Sequence, residues 1–271
     1  MTIVWGICYH ANIMKGVVLA GGLGTRMYPL TYATNKHLLP VFDKPMIFFP
    51  ILTLVQAGVK EILVVTSGPH SGHFISVLKN GKELGVKHIE YAYQENPSGG
   101  IADALSLAED FADGGPVTVI LGDNTTDSDI RSSVSKFKKG ALIFLKKVPY
   151  PERFGVPRFD KSDVRKIVEI IEKPQKPPSQ YAVTGLYIYD NKVFDYIKKL
   201  KPSGRGELEI TDVNNRYLNE GELEWAELKG YWLDAGTFES LLLANLFWAK
   251  KSGNSKLEEL LKYIKKKRME L

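Results

Sequence analysis

"GVVLAGGLGTRMYPLTYATNKHLLP" occupies residues 16–40. It opens on an apolar, β-branched run of the kind expected for a strand buried on both faces. The run breaks at Gly21, Gly22 and Gly24, after which come Arg26, Pro29, Lys36 and Pro40. Glycines at this point leave backbone N–H groups open to an anion. Open α/β sheets also bind their ligands at the carboxyl ends of their strands. Arg26 offers a planar fork to phosphate oxygens, and Lys36 a mobile point charge. Two familiar phosphate loops do not match. The Gly-Lys-Ser/Thr ending of a Walker A loop is missing, and Met27 stands where the last glycine of G-x-G-x-x-G belongs. The glycines alone fit a tight turn equally well, and each cation alone fits an ordinary surface position. Together, on one loop behind a buried strand, they point to a polyphosphate clamp.

The segments around this loop alternate. "KGVVLA" (15–20), "KEILVVT" (60–66), "KHIEYAY" (87–93) and "PVTVILG" (116–122) read as buried parallel strands. Between and after them, helices are expected over 45–58, with Pro45 at the first helical position and Gly58 just past the end, and over 71–81, 99–111 and 128–140. This βαβ rhythm predicts a doubly wound sheet with crossover helices. Further on, 154–170 reads as two strands joined at "DKSD", and "EKPQKPPS" as a Pro-rich loop. A strand follows over 182–190, then helices over 191–200 and 207–221, a strand near 223–230, "YWLDAGT", and a helix over 238–250. An amphipathic C-terminal helix is expected at about 255–270. Residues 1–13 read as a tail, and 14–271 as one domain.

Composition narrows the class. The chain has 271 residues, 44% hydrophobic and 25% charged, which suits a globular protein with a sizeable core. No apolar run has the length of a membrane span, and "MTIVWGICYHANIM" lacks the features of a signal peptide. Cys8 is the single cysteine, so no intramolecular disulfide forms, which fits a cytoplasmic location. The formal net charge is +5, partly from "KYIKKKRMEL", where cations complement a helix end. No aromatic residues interleave with that run as nucleic-acid binding would favour.

The 19–40 stretch "LAGGLGTRMYPLTYATNKHLLP" closely resembles the signature of sugar nucleotidyltransferases, and within them of the glucose-1-phosphate thymidylyltransferases. "VFDKPMIFFPI", "LGDN", "FGV", "EKP", "VTGLYIYD", "KPSGRGELEITDVNNRYL" and "GYWLDAGT" follow in the family's order, from Met14 to about Lys250. The resemblance implies a Rossmann-like nucleotidyltransferase α/β fold, with a mixed, mostly parallel sheet flanked by helices, a nucleotide-binding half over about 14–125 and a sugar-binding half over about 126–250. It implies that dTTP and glucose 1-phosphate give dTDP-glucose and pyrophosphate, on the way to dTDP-rhamnose and polysaccharide. UTP, or another hexose 1-phosphate, is the close alternative. A pyrophosphorylase-like regulatory subunit without activity is the alternative of another class, and the intact charged set argues against it. A homodimer or homotetramer is also implied. The chain ends earlier than the long bacterial form, so the expectation is that inhibition by dTDP-rhamnose is weak or absent.

By the same resemblance, Arg26 and Lys36 bind the triphosphate, within a nucleotide set of Leu19, Gly21, Gly22, Gly24, Thr25, Gln94, Pro97 and Gly99. Gln94 pairs its amide with the thymine edge using both faces, and Gly99 lets the backbone approach the base. Lys173 and Arg205 hold the sugar phosphate. Asn124, Gly155, Glu172 and Val183 contact glucose. Asp123 and Asp234 bind Mg²⁺. Arg26, Lys36, Asp123 and Lys173 form the catalytic set. The nucleophile is a phosphate oxygen whose second ionisation lies near a pKa of about 6, so no general base is required. The reaction then depends mostly on positioning and charge neutralisation. The chain departs from the family pattern at Gly100, Thr125, Thr126 and Ala235.

Overall fold

Strand β1 (Lys15–Ala20) lies near the middle of a seven-stranded sheet. The others are β2 (Glu61–Thr66), β3 (His88–Tyr93), β4 (Val117–Leu121), β5 (Ala141–Lys147), β6 (Tyr181–Tyr189) and β7 (Leu223–Glu227). Their order is β7-β5-β6-β4-β1-β2-β3. Strand β6 runs antiparallel to both neighbours and the other pairings are parallel, so the sheet is mixed and mostly parallel, as expected. This is a computed structural model, and it describes residues 13–163, 165–254, 256–259 and 263. Cys8, the tail to residue 12 and most of the expected C-terminal helix lie outside the described residues.

The alternation of side chains along the central strands explains the layers. Val17 and Leu19 of β1, with Leu63 and Val65 of β2, enter one core. Val18 and Ala20, with Ile62 and Val64, enter the other. A strand with apolar residues at every position needs cover on both faces. Helices Phe48–Gln56 and Ser71–Leu78 cover one face through Ile51, Leu54, Phe74 and Leu78. Helices Ile101–Ser106, Lys192–Ile197 and Ile210–Asn219 cover the other through Leu105, Phe194, Val213 and Tyr217. Each such side chain contributes about 1.5–3 kcal/mol when removed from water.

Some elements differ from the sequence reading. Pro45 does not begin the first helix. It pairs in a short hairpin, Pro40–Val41 with Lys44–Pro45, and the helix starts at Phe48. Gly58 does follow its end, with φ of +92°, a conformation glycine adopts freely. The expected 99–111 helix is divided into Ile101–Ser106 and Glu109–Ala112. Strand β5 has no counterpart in the sequence reading, although it lies between β6 and β7. The 154–170 hairpin is present as Gly155–Phe159 and Ile167–Glu172, a two-stranded sheet separate from the main one. Another pair, Asn124–Thr126 with Trp232–Asp234, joins residues more than a hundred positions apart.

Candidate active site

A cleft of about 490 Å³ opens at the carboxyl ends of the central strands, within the size range of small-molecule sites. Leu19, at the end of β1, lines it with Gly21 and Gly22. Gly22 has φ of +92°, and its N–H donates to Ser67 Oγ at 2.7 Å, which ties the loop to the segment after β2. Arg26 lies on a single 3₁₀ turn, Thr25–Met27, whose Met27 is fully buried. That anchor turns Arg26 toward the cleft, while Thr25 and Gly24 do not line it. Gly24 packs instead on Thr31, which donates to its carbonyl at 2.9 Å.

The acidic centre comes from two distant segments. Asp123 follows β4 after Gly122, where a Cβ would stand 2.8 Å from His37 and 3.1 Å from Ala20. Asp234 ends the strand Trp232–Asp234, opposite Asn124. Gly236 lies where the charged groups converge. A Cβ there would be 2.8 Å from Asp234 Oδ1, 3.2 Å from Arg26 Nη2 and 3.2 Å from Asp123 Oδ2. Lys36 Nζ donates to Asp123 Oδ2 at 2.5 Å, with both side chains largely buried. Lys36 is thus paired with a carboxylate in this state.

The two aspartates are driven in opposite directions. Burial opposes ionisation of Asp123, but the Lys36 ammonium and the Asn124 amide, 3.0 Å from Oδ1, hold it well below the usual carboxylate range. Burial raises the Asp234 carboxyl, and the Asp123 charge raises it further, against Lys36, the Gly236 N–H and Arg26. His37 also lines the cleft. Burial first and Lys36 second push its pKa down to about 3, so it is neutral and a feeble base near pH 7.

The second wall carries the residues expected for the sugar. Gly155 and Glu172 are register partners in the hairpin. Glu172 Oε2 accepts from Thr211 Oγ1 at 2.6 Å, so its orientation is held by the helix Ile210–Asn219. Lys173 follows with φ of +42°, a strained conformation for a residue with a Cβ, and its N–H donates to the Phe154 carbonyl at 3.0 Å. Val183 and Gly185 line the wall from β6. Asn124 lines it too, but its amide bonds Asp123, the Gly185 N–H and Trp232 Nε1 at 3.0, 3.2 and 2.7 Å. It holds the walls together rather than projecting free groups.

Arg205 differs from expectation. It does not line the cleft, and its guanidinium bonds Glu209 at 2.8 Å, Glu207 at 3.2 Å and Glu172 at 3.3 Å. Gly99 is also outside the lining. Its N–H donates to Asn96 and its carbonyl accepts from Leu208, so neither group is open to a base, and Gly100 lines the cleft in its place. Gln94 and Pro97 do line it. The amide nitrogen of Gln94 is engaged by Asp103 and the Gly100 carbonyl, which differs from a contact using both amide faces.

Sequence reading missed Arg153, His37, Tyr187, Thr211 and Trp232 in the lining. Arg153 immediately precedes "FGV", while Thr211 and Trp232 lie inside quoted motifs. His37 and Tyr187 also lie inside quoted motifs, so the signal for all five was position within or beside a motif.

Residues 15–251 match the model of the nucleotidyl transferase family. A glucose-1-phosphate thymidylyltransferase of Xanthomonas campestris is 47% identical over 84% of this chain and 78% of its own. A Bacillus anthracis protein assigned as a glucose-1-phosphate thymidylyltransferase, crystallised with a sucrose, is 51% identical with a TM-score of 0.81, covering 86% of this chain and 94% of its own. A UDP-glucose pyrophosphorylase complexed with UDP-glucose is 25% identical with a TM-score of 0.75, over 88% of this chain and 99% of its own. The chain belongs to the nucleotidyl transferase family, among relatives that are glucose-1-phosphate thymidylyltransferases.

Proposed function

We propose that this nucleotidyl transferase family member joins dTTP to glucose 1-phosphate, giving dTDP-glucose and pyrophosphate. The observation that carries the reading is one cleft lined by cations from remote segments. Arg26 and Lys36 come with the glycine loop, and Lys173 comes beside Glu172 at the end of the Gly155–Glu172 hairpin. Two polyanions repel each other in water, and cations from both segments hold them in line. The sugar phosphate attacks the α-phosphorus of the nucleotide. The bond to the β-phosphate oxygen breaks, and pyrophosphate leaves with the electron pair. Lys173 neutralises the attacking phosphate, and Arg26 receives the charge that develops on the leaving group. The nucleophile needs no base, which suits a cleft whose histidine has a pKa of about 3.

Asp123 and Asp234 suit Mg²⁺. Burial and the neighbouring Asp123 charge hinder ionisation of Asp234, and a divalent cation held by these residues would offset both effects. Among the described residues no group of three or more His, Cys, Asp or Glu side chains could hold a metal. Mg²⁺ is content with one or two carboxylates when phosphate oxygens and water complete its shell. When bound it supplies charge neutralisation to the phosphate oxygens. Assembly as a homodimer or homotetramer belongs to the same reading and is measured by light scattering.

The test is pyrophosphate release over a matrix of dTTP, UTP, CTP, ATP and GTP against several sugar 1-phosphates. dTTP with glucose 1-phosphate is expected to lead and UTP to follow, because the methyl discriminates by only about 10–200-fold and the ribose 2′-hydroxyl can be rejected as weakly. ATP or GTP outrunning both pyrimidines would overturn the reading of the base site.

A further inference from the structure

The side-chain amide of Gln94 has its orientation set before any base arrives. Gln94 follows β3, its N–H donates to the Thr66 carbonyl at 2.8 Å, and the residue is only 4% exposed. Nε2 lies 2.8 Å from Asp103 Oδ2 and 3.3 Å from the Gly100 carbonyl. A carboxylate and a carbonyl are both acceptors, so the atom facing them is the NH₂ group, and each of its hydrogens has a partner. The reversed amide would set oxygen against two oxygens, leaving buried acceptors unpaired. Oε1 is left on the side of Gly21, where a Cβ would be 2.6 Å from it. Gly21 lines the cleft, so at this point the wall presents an acceptor only.

Asp103 is itself held in place. It lies in the first turn of the helix Ile101–Ser106, against Gly99, where a Cβ would overlap its carboxylate. Gly100 has φ of +96°, and a Cβ there would stand 2.6 Å from the Leu208 carbonyl. The two adjacent glycines therefore let the helix start close enough for Asp103 to reach Gln94.

We infer that Asp103 is a positioning residue for base selection, holding Gln94 Nε2 so that Oε1 accepts the N3–H of a pyrimidine imide. Thymine and uracil carry that hydrogen. Cytosine has a lone pair at N3, which would face the lone pairs of Oε1. Asp103 thereby excludes CTP without touching the nucleotide. The inference rests on reading the cleft as a pyrimidine nucleotide site, and extends it from the residue that meets the base to the one that fixes its polarity.

The experiment compares kcat/KM for dTTP, UTP and CTP, with glucose 1-phosphate, in the parent protein and in Asp103→Asn. A site built around one hydrogen bond rejects an analogue lacking it by up to about 10⁴-fold, so CTP is expected to be a very poor substrate of the parent. The carboxamide introduced by Asp103→Asn offers a donor as well as an acceptor, which lets the Gln94 amide turn. The dTTP to CTP ratio is expected to fall at least about tenfold, roughly one lost hydrogen-bond preference, with the KM for glucose 1-phosphate little changed. An unchanged ratio in folded Asp103→Asn overturns the inference. Should that variant fail to fold, Asp103→Ser is read in the same way: a lowered dTTP to CTP ratio supports the inference, and an unchanged ratio refutes it. Pyrophosphate release with ATP or GTP and with no pyrimidine nucleotide would remove the underlying reading, and this inference with it.

Discussion

Replacing Lys36 by methionine removes one partner of a largely buried ion pair while keeping most of its volume. Lys36 Nζ and Asp123 Oδ2 are 2.5 Å apart, with side-chain exposures of 12% and 9%, so water screens the pair little. Removing one partner of such a pair leaves an uncompensated charge and costs about 3–5 kcal/mol. For a chain of this size that lowers the unfolding midpoint by roughly 10 °C. In the parent, the folded carboxyl of Asp123 is depressed, so the pair stabilises the protein above the unfolded value, about 3.9, and its contribution is lost only as pH falls through the lowered folded value. In Lys36→Met, burial and the nearby Asp234 remain, and both raise the carboxyl. The deficit is therefore full near neutral pH and fades on acidification, as Asp123 takes up a proton. Thermal melts of parent and variant from about pH 8 down to about pH 4.5 measure this difference directly. The midpoint gap is expected to shrink by more than half at the acidic end, and millimolar Mg²⁺ at neutral pH to recover more stability in the variant than in the parent. A gap independent of pH would refute the reasoning, because lost packing around the lysine stem does not titrate.

Two further substitutions address the cleft. Gly236→Ala would place a methyl 2.8 Å from Asp234 Oδ1 and 3.2 Å from both Arg26 Nη2 and Asp123 Oδ2, so turnover is expected to fall at least about a hundredfold with little change in the circular dichroism spectrum. Near-normal turnover would show that these groups do not need their present separation. Lys173→Ala is expected to weaken glucose 1-phosphate binding by about tenfold or more and dTTP binding far less, as measured by calorimetric titration, with equal losses counting against the assignment of that wall.

The first half of the chain was legible for a local reason. Apolar runs such as 15–20 and 61–66 carry their pattern within a few residues, and Gly21, Gly22 and Arg26 mark a glycine-rich, cationic loop before any fold is known. Strand β5 escaped notice although its apolar run, 141–145, is as long as those of the strands that were read, and it ends in Lys146 and Lys147. The fold accommodates Lys146 by letting its Nζ donate to the Leu228 carbonyl, a partner 82 positions away. Family motifs brought Asp123, Asp234, Glu172 and Lys173 to attention, and all four line the cleft. They also drew in Arg205 and Gly99, whose polar groups are engaged elsewhere.

Residue type and short-range dihedral preference are properties of neighbouring positions, so strands, turns and the cationic loop were written in the chain itself. The facts that govern the chemistry are distances between remote segments. Asn124 faces Asp234 because two short strands pair, Lys36 reaches Asp123 from 87 positions away, and Gln94 meets Asp103 because two glycines let a helix begin beside it. Each depends on which strands lie adjacent, and that order follows from covering both faces of a sheet whose central strands are apolar at every position. That is a property of the packed whole, and it also determines which cation is paired, which carboxyl is harder to ionise and which end of an amide is engaged by its neighbours.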